Sequence, residues 1–403
     1  MTQAVQTYAY LRPSAVRSSG AGRSLALETS GGVTATGMVV NSRFFQGFLT
    51  APAVAAAALL VVADVAAARY YQPQRPASLD PVVTADGDRL RFESFSGCCG
   101  VYARLDVLPE GLDGELLGHG TTNVDVNHLL REALDLMGPA DPLHLSVGPE
   151  ELAVTTLEGR RVEKRVPLPE RWLRGFAETQ VLAAGFDLRA EVPAAEAVRF
   201  LRSLPRGRSG ARSTQWVVAA GHALRPTSRP VPGAVCLSGP ERLSGLHRVF
   251  RHVVALRVYG PPAGPSPSAA VWEVVLPGMR LSLTLSPDAA CGFSGEGGVL
   301  PALAAGDTEA DAELVSALLA WESRIDPAEF AEQAGLTTDR VRAALTRLGT
   351  AGQVGYDTAE AAYFHRRLPY DSGRAEEQNP RLRAARALVA AGAVRLEGAA
   401  LRW

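Results

Sequence analysis

DTEADAELVSALLAWESRIDPAEFAEQAGLTTDRVRAALTRLGTAGQVGYDTAEAAYFHRRLPYD, residues Asp307 to Asp371, is the stretch from which the fold is read. Leu314, Leu318 and Trp321 recur at helical spacing, and Phe330 and Ala334 mark a second, shorter helix. Gly335 breaks the pattern and Thr337 is placed to cap a third helix, whose apolar stripe is Val341, Ala344, Leu345 and Leu348. Gly349 and Gly352 stop that helix. Val354–Asp357 and Ala362–Leu368 then read as two strands around a short turn. Helix, helix, turn, helix and hairpin in that order predict a winged helix-turn-helix.

Charge decides what such a module does. Duplex binding draws much of its free energy from Lys and Arg neutralising phosphates, so a DNA reader is usually basic. Residues Thr308–Asp339 carry eight acids against Arg324, whereas Arg340–Trp403 carries eleven Arg against six acids. Arg340, Arg342, Arg347, Arg366 and Arg367 are therefore the candidate nucleic-acid contacts on the third helix and hairpin. A helical wheel puts Asp339, Ala343 and Thr346 at the centre of the exposed side, an unpromising set for phosphates. A module that packs against protein, with solvated arginines, is the favoured expectation.

The whole chain has 403 residues, a net charge of −1 and 47% hydrophobic residues, enough for several cores but no argument for a polyanion partner. Lys164 is its only lysine, which excludes a Walker-type phosphate loop. Cys98, Cys99, Cys236 and Cys291 fit a reducing cytoplasm, and no signal peptide is read before them. The run Ala51–Ala68 is alanine-rich and interrupted by Asp64, too short and too polar to span a bilayer. It predicts a buried helix capped by Thr50, with Pro52 in its first turn.

Around these elements the chain divides into five parts. Residues 1–79 are an N-terminal segment holding the alanine-rich helix, and 80–185 read as an α+β domain. Within that domain Arg89–Ser96 and Val101–Leu108 alternate as paired strands, and Glu170–Ala184 is a closing amphipathic helix. Residues 186–304 form a second α+β unit, with the helix Ala194–Leu204 and a hairpin placing Leu281, Leu283 and Leu285 on one face. The winged helix occupies 307–371, and 372–403 supply a helix and a hairpin that stops in mid-strand. A further module or a partner chain is expected to cover that open edge. The fold class is thus α+β and multi-domain, with antiparallel sheets, packed helices and the winged helix at the carboxyl end.

No catalytic spacing emerges. Cys98–Cys99 lie in a Gly97–Gly100 turn that could be reactive, but adjacent thiols chelate poorly and a packed turn is the simpler expectation. No CxxC, CxC, CxH or HExxH pattern occurs, and Gly292–Glu296 lacks the second glycine of a nucleophile elbow. His247, Arg248, Arg251 and His252 form a basic patch that reads as a solvated helix face. The alternating charges of Arg160–Arg165 read as the exposed face of a sheet.

Several stretches resemble a known family: RFFQGFLTAPAVAAAALLVVADVAAARYY (Arg43–Tyr71), RFESFSGCCGVYARLDVLPEGLDGELLGHGTTNVDVN (Arg91–Asn127), VEKRVPLPERWLRGFAE (Val162–Glu178), LPGMRLSLTLSPDAACGFSGEGGVL (Leu276–Leu300) and GYDTAEAAYFHRRLPYD (Gly355–Asp371). They are similar to the actinobacterial-type SWIM zinc finger family proteins that accompany a MoxR-type AAA ATPase and a von Willebrand factor A protein. The resemblance implies a C-terminal zinc module with a CxC and a later CxH, yet neither pattern exists here and all four cysteines precede Gly292. Zinc is expected only in that missing module, and no metal ligand or cofactor is assigned to any residue of this chain. The expected function is a non-enzymatic scaffold or adaptor contacting protein partners, in an ATPase-centred system as the resemblance implies. The alternatives are a DNA-binding protein using the five arginines and, as a remote third, an enzyme using the Cys98/Cys99 turn.

Overall fold

Strict alternation along Leu90-Arg91-Phe92-Glu93 and Ala103-Arg104-Leu105-Asp106 gives each strand one apolar and one charged face, because successive side chains point to opposite sides of a strand. The computed structural model describes residues 43–71, 81–205, 214–261, 266–293, 308–319 and 324–368, the backbone of short strands before residue 43 and after 394, and a few isolated positions between 384 and 391. Its central feature is an eight-stranded antiparallel sheet. The strand order is Gly120–Asn123, Val82–Asp86, Arg89–Phe95, Val101–Val107, Met279–Leu285, Ala270–Leu276, Ala255–Gly260 and Asp187–Pro193.

The apolar face of that sheet packs on the helix Pro52–Ala67. Thirteen of the sixteen helix residues are buried, so the segment is enclosed on nearly all sides, as its alanine content allows. Leu90, Phe92, Ala103, Leu105, Leu281, Leu283, Trp272 and Val274 join it in one core. Trp272 stacks on Phe200 of the helix Ala194–Ser203, with ring centroids 5.7 Å apart. A 3-10 helical stretch, Pro240–His252, lies along the same alanine-rich helix and contributes Leu243, Leu246 and Val249. A second sheet, ordered Leu112–Leu116, Phe45–Leu49, His144–Val147, Glu151–Thr156 and Gly159–Lys164, adds Phe45, Leu145 and Val154 to that core. Three further strands, Ala223–Thr227, Thr214–Ala220 and Val235–Ser238, form a small sheet beside it.

Two expectations change here. The boundary near residue 185 does not divide the structure, because Val101–Val107 pairs with Met279–Leu285 in register from Val101↔Leu285 to Val107↔Met279. The described residues of 80–185 and of 186–304 therefore share one sheet and one core. Thr50 does not cap the alanine-rich helix: Ala51 holds the cap position, and the Thr50 hydroxyl donates to the Glu110 carbonyl at 2.9 Å.

At the carboxyl end, the helices Thr308–Leu319, Pro327–Ala334 and Thr338–Thr350 precede a hairpin of Val354–Asp357 and Ala362–His365. Asp326 and Thr337 cap the second and third helices through their side chains. Ile325 bridges antiparallel to Tyr363, tying the entry of the second helix to the hairpin. Ala312, Val315, Phe330, Val341, Ala344, Leu345, Leu348 and Tyr363 make a core separate from that of the sheets. The first helix is rotated from its expected register: Leu314 is 42% exposed while Val315 is buried. Trp321 and most of the region 369–403 lie outside the described residues, apart from the paired strands Arg395–Glu397 and Ala400–Arg402.

In the second sheet Gly47 faces Gly114 across the Phe45–Leu49/Leu112–Leu116 pair, and a Cβ on either would collide with the other's backbone. Gly47→Val is expected to lower stability by about 1–3 kcal/mol, since backbone on both sides leaves no side chain to move aside. A chemical denaturation midpoint unchanged from the parent would contradict this close approach.

Candidate functional site

The second face of the eight-stranded sheet holds the unusual chemistry. Arg91 and Glu93, Tyr102, Arg104 and Asp106, Arg280 and Ser282, and Glu273 all project from it, and all are buried. Antiparallel register sets Arg91 opposite Asp106, Asp106 opposite Arg280, and Glu93 opposite Arg104, so each charge has an opposite neighbour across the strands. A charged sheet face ordinarily meets water. This one is covered by the C-terminal hairpin and by the helix Glu170–Ala183.

The hairpin meets the face through its turn. Asp357 lies 2.7 Å from Arg280, 3.3 Å from Arg104 and 3.8 Å from Arg89, and Glu360 lies 2.5 Å from Arg89. Burial alone would raise the Asp357 carboxyl, but Arg104, Arg280, Arg91 and Arg89 outweigh it and hold the group well below the usual carboxylate range. The turn presents this carboxylate firmly, because Asp357 Oδ1 also accepts from the backbone N–H groups of Ala359 and Glu360. Arg104 donates to the Tyr356 carbonyl at 2.6 Å, and the His365 N–H donates to Asp86 at 3.2 Å. Phe364 lies flat under Arg91, whose guanidinium is 3.8 Å from the ring centre.

Arg366 completes the seam. Its guanidinium is 2.6 Å from Glu93, donates to the Val354 carbonyl at 3.1 Å and sits 4.2 Å above the Phe176 ring. Tyr102 donates to the same Glu93 oxygen at 2.5 Å. The third helix of the C-terminal module also leans on the helix Glu170–Ala183: Thr346 is buried, and a Cβ at Gly349 would fall inside the Gln180 carboxamide. Thr346 is therefore not on the exposed side where the helical wheel puts it, because that wheel lacked the neighbouring helix.

The five candidate arginines do not form one surface. Arg366 is 2% exposed and is withdrawn from the set of available contacts. Arg340 is bound at 2.6 Å by Asp311 of the same module, and Arg347 is half-buried with an interaction of its own. Arg342, 3.5 Å from Asp339, and Arg367 are exposed. Of the basic patch near residue 250, Arg248 is engaged by Asp64 at 2.6 Å and Asp135 at 2.8 Å.

The Cys98–Cys99 turn is packed. Both thiols are buried, and burial pushes the Cys99 thiol up to about 11, away from reactivity. Ser96 Oγ accepts from the N–H groups of Gly100 and Val101, and the buried Arg242 donates to the Gly100 carbonyl at 2.9 Å. Cys99 has φ 55°, a left-handed conformation kept by this lattice of bonds. Among the described residues no group of three or more His, Cys, Asp or Glu is placed to hold a metal ion, and no helix is long and apolar enough to cross a membrane.

Sequence reasoning missed Arg89, Arg91, Glu93, Arg104, Asp106, Arg280, Asp357 and Glu360. A signal existed: Arg89–Phe95 and Val101–Val107 carry opposite charges at alternate positions, opposed across the pair.

The chain matches no protein-family profile and no curated protein sequence. Among solved structures it is similar to the proliferating cellular nuclear antigen of Entamoeba histolytica, at 9% identity and a TM-score of 0.38, over 60% of this chain and 98% of that one. A likeness at that level leaves the architecture to be described by its own topology: mixed α and β, with extensive antiparallel sheets.

Arg366→Ala would remove the guanidinium bonded to the buried Glu93, and is expected to cost about 3–5 kcal/mol, read by denaturant melts. Glu163 gives a pH signature. It is 5% exposed, and burial, helped by Asp125, pushes its carboxyl up to about 7. The folded chain keeps a proton there that the unfolded chain releases from about 4.5 upward. Stability is therefore expected to fall as pH rises from about 4.5 to 7 and to level off above that, and Glu163→Gln to flatten the slope and raise Tm at alkaline pH. An unchanged pH profile in the variant would contradict it.

Proposed function

We propose that the chain is a non-enzymatic scaffold or adaptor whose C-terminal winged helix-turn-helix is a protein-contact module. The observation that carries this reading is the seam: the hairpin and the side of the third helix bearing Thr346 and Gly349 lie against the chain's own sheet and helix. A winged helix reading duplex needs its third helix and hairpin free for groove and backbone. The inert setting of Cys98 and Cys99 supports a role in contact over catalysis. The resemblance to SWIM zinc finger proteins supports partners in a MoxR-type AAA ATPase system.

A second reading is duplex binding through the exposed Arg342 and Arg367, flanked by Arg340 and Arg347. Titration of a labelled random duplex at low salt separates the two. The adaptor reading expects no salt-dependent binding, and no effect of Arg342→Ala with Arg367→Ala. Binding that weakens steeply with salt, with a slope reduced by about one for each arginine removed, would replace it with the DNA reading. Co-elution with a purified MoxR-type ATPase is the positive test of the adaptor reading.

A further inference from the structure

We infer that the C-terminal module is a releasable cover: residues 308–319 and 324–368 lift from the sheet as one unit, uncovering the arginine-lined face and the occupied side of the third helix. The inference extends the adaptor reading without resting on it, since lift-off is measured on the chain alone.

Three observations carry it. First, the module owns its core: Val315, Ile325, Phe330, Val341, Leu345, Leu348 and Val354 pack together apart from the core of the sheets. Its two capped helices and the Ile325–Tyr363 bridge need nothing from the body. Secondly, what joins module to body is mainly charge, with Arg89, Arg104 and Arg280 on Asp357 and Glu360, and Arg366 on Glu93. Attraction between buried charges is largely offset by the loss of their hydration, so opening the seam returns to water what docking removed. Leu368, packed with Val82, Trp172 and Phe176, is the apolar point of the joint.

Thirdly, the joint is imperfectly packed. A cavity of about 20 Å³ lies among Gln180, Arg104, Glu273, Thr358 and Arg366, and another of about 170 Å³ among Asp86, Arg91, Arg324, Glu360 and Phe364. A close-packed interior holds few voids larger than a water molecule, and these two, lined by charged and polar groups, lie where the module meets the sheet. When the module is down, Arg366 and the Thr346–Gly349 side are in use; when it lifts, they are free, and the sheet presents a site shaped for an acidic turn.

Two variants of the full chain open the seam by different means. Asp357→Asn removes the carboxylate that Arg89, Arg91, Arg104 and Arg280 surround. Gly349→Leu drives a side chain into Gln180 while favouring the module's own helix, where leucine is a better former than glycine. The probe is hydrogen exchange at the His365 amide, which bonds across the seam to Asp86, compared with the amides of Val341–Leu348 inside the module. Lift-off predicts that His365 exchanges ahead of the third helix in the parent chain, and that each variant speeds His365 by about tenfold or more with the third helix still protected. Two results would overturn it: His365 exchanging only with global unfolding in parent and variants alike, or a variant in which seam, third helix and sheet all lose protection together.

Discussion

Arginines reaching from three adjacent strands to one carboxylate hold the C-terminal module against the sheet. Arg89 and Arg91 come from the first strand, Arg104 from the second and Arg280 from the third, and their common partner is Asp357 at the tip of a hairpin more than seventy residues downstream of Arg280. Guanidinium suits the role because it stays charged at any physiological pH and spreads its donors over several acceptors. Arg104 uses that reach fully, bonding Asp106 at 3.0 Å, Asp357 at 3.3 Å and the Tyr356 carbonyl at 2.6 Å. Each strand supplies the next charge of the alternation, so the register of the sheet and the docking of the hairpin are one constraint.

This arrangement explains why the central strands of the sheet are apolar on one side and ionic on the other yet buried on both. The helix Pro52–Ala67 closes the first side with small side chains that let the strands come near. The C-terminal module and the helix Glu170–Ala183 close the second, bringing aromatic rings to the cations: Phe364 under Arg91 and Phe176 under Arg366. A ring beneath a guanidinium keeps water from its flat face while leaving its edge donors to the carboxylates.

Local features of the fold were legible in the sequence, and long-range ones were not. Val354–Asp357 and the cap at Thr337 follow from short-range rules, and the structure has both. Alternation in Arg89–Phe95 and Val101–Val107 identified strands without saying which strand would lie beside them. The partner of Val101–Val107 is Met279–Leu285, and nothing local distinguishes that pairing from a closed domain ending near 185. The same gap hid the seam. Alternation at Arg91, Glu93 and Arg104 does not say what covers that face, because the hairpin is remote in sequence, and Arg366 reads as a surface arginine for the same reason. Leu314 failed differently: in a helix with apolar residues at Ala312, Leu314 and Val315, one-sided patterning is too weak to fix which of them turns inward.

The pairing of Val101–Val107 with Met279–Leu285 has a consequence for synthesis. A ribosome delivers the earlier strand well over a hundred residues before its neighbour, so the growing polypeptide carries an open β-edge, Val-Tyr-Ala-Arg-Leu-Asp-Val, until Met279–Leu285 has been made. Such contacts close slowly and leave sticky edges exposed meanwhile. The charges spaced along that strand act as gatekeepers against premature self-association until the matching segment emerges.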